Sequence, residues 1–149
     1  MKLLAGLALF ILCALVGEGR ARRLLRRERT IGKLHDLIQA IGDRQLTGLI
    51  SFQEAALGCP PSPERALLLS LARGETSDSD LLTAEELTAL RAYARSDSRS
   101  VSALRMERDA LLAFLQKERD RTRQELSRKG QVYRSMGYLC GAAALLLVL

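Results

Sequence analysis

The stretch LLRRERTIGKLHDLIQAIGD, residues 24–43, places Leu24, Ile31, Leu34, Ile38 and Ile41 at intervals of seven, three, four and three. Such spacing returns to one side of an α-helix every turn or two, and it predicts an amphipathic helix from about Arg20 to Asp43. Gly42 and Gly48 bracket its expected end. Composition extends the reading to the whole chain. Leu occurs 31 times in 149 residues, whereas Ile and Val together occur nine times. Leu favours helices and β-branched residues favour strands, so the expected class is all-α.

Working outward, Ser51-Phe52-Gln53-Glu54 has the capping-box pattern and opens a short helix through Leu57. Cys59-Pro60-Pro61-Ser62-Pro63 follows, a stiff turn because each proline fixes φ and lacks a donor. Ser62 as N-cap, with Pro63 at the first helical position, starts a helix over residues 64–72. The polar run 74–80 reads as a loop. Thr83-Ala84-Glu85-Glu86 is a second capping box, and the helix it opens, to about residue 95, turns Leu87, Leu90 and Tyr93 inward. Residues 96–100 break it. A last helix starts near Val101, lined by Leu104, Leu111, Leu112 and Leu115, and its apolar stripe thins to Leu126, Val132 and Tyr133. The expected architecture is a small helical bundle.

The ends differ from this middle. Leu3 to Val16 is uncharged, as is Met136 to Leu149. The net charge of +6 is concentrated beside them: residues 18–29 carry six Arg and two Glu, and residues 117–134 carry seven basic and three acidic side chains. Each block is +4, which leaves −2 for the rest of the chain. At about 1.5 Å per residue, residues 1–17 reach roughly 25 Å, just under a hydrocarbon core of about 30 Å. Arg20, Arg22, Arg23, Arg26, Arg27 and Arg29 follow the first run, and Lys129 and Arg134 precede the second. Under the positive-inside rule these eight residues hold the middle in the cytoplasm and face anionic headgroups. The expected layout is an N-terminal transmembrane anchor at 1–19, a cytoplasmic helical domain at 20–134 and a C-terminal transmembrane segment at 135–149. Gly137 and Gly141 form a G-x-x-x-G pair, the pattern that lets transmembrane helices pack closely. A cleaved signal at the N-terminus and a buried helix end in a soluble protein at the C-terminus are the alternative readings.

Chemistry is sparse. His35 is the sole histidine, so neither a histidine metal site nor a Ser-His-Asp triad has a second member. Cys13 and Cys140 lie inside the apolar runs, and Cys59 in the proline turn has no His or Asn constellation to activate it. Phosphate-loop, dinucleotide and zincin motifs are absent from the sequence. Glu85 and Glu86 are adjacent and point about 100° apart on a helix, which suits capping better than paired acid–base work. With aromatics at 4% and no Trp, stacking platforms for nucleic acid are nearly missing. The expectation is no enzyme, no cofactor, no metal, no small-molecule substrate and no nucleic acid.

The order of these features resembles the stage III sporulation protein AB family of endospore-forming bacteria over nearly the full length. The resemblance lies in RSMGYLCGAAALLLVL at 134–149, in the MKLLAGLALFIL start, in Leu34 to Ile41, and in Gly48 with Glu54-Ala55-Ala56. Arg44-Gln45 stands where the family has Glu-Ile, Ser51 where it has Pro, and Asp97 is the remnant of a longer family motif. The resemblance implies a membrane component of the mother cell–forespore channel, located in the mother-cell membrane. Its cytoplasmic domain would be similar to those of type II secretion platform proteins. The implied partners are the sporulation ATPase of the same operon, fellow channel subunits and further copies of the chain. Leu34, Leu37, Arg44, Glu85 and Glu86 are the candidate docking residues. A generic two-anchor envelope scaffold and an exported helical binding protein are the competing functions.

Overall fold

A computed structural model describes residues 2–75, 79–96 and 100–148; the side chains of residues 2–7, Leu9, Arg134, 144, 145, 147 and 148 lie outside the description. The described residues form α1 (Lys2–Gly48), α2 (Phe52–Leu57), α3 (Pro63–Arg73), α4 (Ala84–Ala94) and α5 (Val101–Val148), with no strand among them. The all-α class is thus observed. Asp97 falls outside the described residues.

The chain divides into two compact units, one of residues 1–28 with 120–149 and one of residues 29–119. In the second unit, Ile31, Leu34, Ile38 and Ile41 of α1 are all fully buried. They form one core with Phe52 and Ala55 of α2, Leu68 and Leu71 of α3, Leu90 and Tyr93 of α4, and Leu111 and Leu115 of α5. Burying a side chain of this size stabilises by about 1.5–3 kcal/mol relative to leaving it in water. α3 packs against both α2 and α4.

Local chemistry starts each short helix. Ser51 Oγ accepts from the Glu54 amide at 3.3 Å, while the Ser51 amide donates to Glu54 Oε2 at 3.1 Å. Thr83 and Glu86 repeat this reciprocal pair at 3.3 and 2.7 Å. Ser62 Oγ accepts from the Arg65 amide, with Pro63 in the first turn of α3. The Arg65 guanidinium donates to the Cys59 carbonyl at 2.6 Å and so ties the proline turn to α3. Gly74 ends α3 at φ +83°; glycine adopts this left-handed geometry without a Cβ clash.

Two sequence expectations are corrected at the level of helix bounds. α1 does not start near Arg20 or end at Asp43; one helix runs from Lys2 to Gly48. An interior glycine costs only about 1 kcal/mol in a helix, and packing outweighs that. Gly42 is buried inside the helix because the Arg108 side chain lies across it, where a Cβ would collide with the Arg108 stem. Arg108 thereby reaches Asp43 Oδ1 at 2.7 Å. One turn on, Gln45 Oε1 accepts from the buried Tyr93 hydroxyl at 3.3 Å, and the Tyr93 ring stands edge-on to Phe52. Leu49, not Gly48, takes the left-handed position after α1, at φ +49° with its side chain 77% exposed.

Burial pushes the Tyr93 phenol up to about 12 from an ordinary value of 10.0, against the opposing influence of Arg108. Between these values the folded chain holds a proton that the unfolded chain has released, so this group's contribution to stability falls as pH rises from 10 towards 12. Spectrophotometric titration is expected to show one late phenolate, and Tyr93→Phe to remove it and flatten the alkaline loss of stability. Leu49→Gly relieves a strain of about 1–2 kcal/mol, partly offset by the extra freedom of glycine in the unfolded chain. A net gain of about 0.5–1 kcal/mol is expected, read as a higher thermal midpoint.

Candidate functional site

The first unit is built from the outer parts of α1 and α5, which run antiparallel: Phe10 meets Gly141, Cys13 meets Gly137, and Gly17 meets Tyr133. The contact is made through backbone. A Cβ on Gly17 would lie 2.5 Å from the Tyr133 carbonyl oxygen, and one on Gly137 would lie 3.0 Å from the Cys13 carbonyl oxygen. Gly17, Gly137, Gly141 and Ala21 are buried accordingly. The Phe10 and Tyr138 rings pack at 6.5 Å. The helix that approaches the Gly137/Gly141 pair is therefore the chain's own α1. Gly17, its counterpart, was not singled out from sequence; its spacing of seven from Phe10 and Leu24 was the available signal.

Small residues at the contact turn the large ones outward. Ile11, Leu12, Leu15, Val16, Val132, Met136, Tyr138, Leu139 and Leu146 are all exposed. This part of the helix pair is thus apolar on its outside as well as at its contact. Among the described residues, no helix is long and apolar enough to cross a membrane.

The basic residues next to this pair are partly engaged within the chain. The Arg20 guanidinium sits 5.8 Å from the Tyr133 ring centroid, a cation–π distance. Arg22 pairs with Glu18 at 2.8 Å and Lys129 with Glu125 at 3.7 Å. Arg23 and Arg27 also have partners; Arg26 and Arg29 are exposed. The Arg134 side chain lies outside the description.

An apolar cleft of about 320 Å³ runs along the α1–α5 contact in this unit. Its lining runs from Leu12 and Cys140 past Val16, Gly17, Met136 and Gly137 to Arg20 and Tyr133 at the end nearest the basic residues.

The sequence-derived docking residues separate. Leu34 and Glu86 are fully buried, the first in the core and the second capping α4, so neither is available to a partner. Leu37 is half-buried against the core, whereas Arg44 and Glu85 are exposed. Arg44 lies across Gly58, leaving no room there for a Cβ. His35 is half-buried and contacts only its neighbour Asp36 among its described polar partners, at 3.2 Å. Cys59 is buried, with its thiol donating to the Ala55 carbonyl. Among the described residues, no three His, Cys, Asp or Glu side chains converge as a metal site.

Gly17→Ala is expected to force the helices apart and cost about 1–3 kcal/mol, the usual range for overpacking. Gly19, two residues on, has nothing within reach of an added Cβ. Gly19→Ala is expected to be neutral or to stabilise by up to about 1 kcal/mol through helix propensity. Thermal unfolding followed by circular dichroism in detergent separates the two.

Comparison with family models, with curated proteins and with solved structures returns no match.

Proposed function

We propose that the chain is a non-catalytic membrane platform subunit, held by both helix ends. In this reading it couples a cytoplasmic ATPase to membrane components of the mother cell–forespore channel during endospore formation. The observation that carries the anchoring is the exterior of the first unit, where large apolar side chains face outward beside a block of arginines. In water such a surface is a liability, whereas in a bilayer it needs no further partner. The sporulation role rests on the resemblance quoted above, chiefly Arg134 to Leu149.

Coupling assigns the docking face to what the second unit exposes. With Leu34 and Glu86 in the interior, Arg44 and Glu85 are the remaining charged candidates, and Leu37 contributes at the rim of the core. The mother-cell membrane is the expected location.

Alkaline carbonate washing of membranes is expected to leave the chain in the pellet; release into the supernatant would overturn the anchoring. Arg44→Glu combined with Glu85→Lys, charge reversals on exposed side chains, is expected to lower co-purification of the sporulation ATPase at least tenfold with helix content unchanged. A deletion strain that forms spores normally would point instead to the generic two-anchor scaffold.

A further inference from the structure

We propose that the cleft along the α1–α5 contact of the first unit binds one anionic glycerophospholipid, a site that rests on the membrane reading above. Its shape and charge match that amphiphile. Leu12, Val16 and Met136 line the cleft beside the close glycine contact and offer only apolar surface to an acyl chain. The volume of about 320 Å³ is at the lower end of small-molecule sites. At the end nearest the basic residues, the Arg20 guanidinium is steered by the face of Tyr133. A cation at one end of an apolar groove complements a phosphodiester joined to a hydrocarbon tail, whereas a zwitterionic headgroup brings its own cation to the same place. This differs from the diffuse attraction of the arginine block to a charged surface, because it requires a defined groove and one particular guanidinium.

Native mass spectrometry of the full-length chain in detergent tests the site, with phosphatidylglycerol and phosphatidylcholine of identical chains as probes. One phosphatidylglycerol is expected to be retained at least tenfold more strongly than phosphatidylcholine. Arg20→Gln is expected to reduce that preference to within twofold. Lys117→Gln, which removes the same charge from a residue of the second basic block that does not line the cleft, is expected to leave it unchanged. Val16→Trp fills the groove and is expected to expel both lipids while circular dichroism retains the helix content. Equal retention of the two lipids, or an equal loss of preference in Arg20→Gln and Lys117→Gln, overturns the site. Displacement of the lipid by inorganic phosphate alone also overturns it, since the acyl chain would then contribute nothing. If carbonate releases the chain from membranes, the anchoring and the site fall together; if the chain stays and the lipids bind equally, only the site falls.

Discussion

Ile31, Leu34, Ile38 and Ile41 present one unbroken apolar seam on α1, and the second unit is arranged around it. α2, α3 and α4 have 6, 11 and 11 residues. Isolated helices of that length are marginal in water because nucleation is unfavourable and few hydrogen bonds follow it. Their stability therefore comes from packing on the seam and on Leu111 and Leu115 of α5. The local devices at their starts, Ser51 with Glu54, Ser62 with Pro63 and Thr83 with Glu86, fix where each begins. They do not supply the energy that keeps it folded.

Polar contacts surround the seam in a consistent way. Glu64, nearly buried in the first turn of α3, has Lys33 at 3.5 Å and the favourable field of a helix N-terminus. Glu86 is taken out of water altogether, with its carboxylate accepting from the Thr83 amide. Arg108, mostly covered, pairs with exposed Asp43. In each case the buried or half-buried charge has an identified partner, as the desolvation penalty requires. The first unit follows a different rule: glycine brings backbone to backbone, and the large side chains are sent outward.

The parts of this fold that were legible in sequence are the local ones. Capping boxes and an N-terminal proline act within four residues, and the bounds of α2, α3 and α4 agree with them to about one residue. The apolar periodicity of 31–41 and the leucines of α5 identified the core. Helix ends that depend on distant partners were not legible. Gly42 reads as a terminator until Arg108 is laid across it, and Gly17 reads as one more small residue until Tyr133 and Gly137 are opposite. The site fared similarly. Gly137 and Gly141 stood out by spacing, but their partner helix did not. Leu34 was offered as a docking residue even though its own periodicity assigned it to the core, and Glu86 was offered as one even though its capping-box position already gave its carboxylate a partner within the chain.

The Arg108 crossing has a mechanical consequence. Its stem fits only where α1 lacks a side chain, and one turn in either direction from Gly42 lie Ile38 or Gln45 and Leu46. Sliding α5 along α1 would drive the stem into one of these and break the pair with Asp43 in the same stroke. The crossing is thus a detent: small axial loads on either helix meet a stop, and the two helices move together until the load is large enough to jump a full turn.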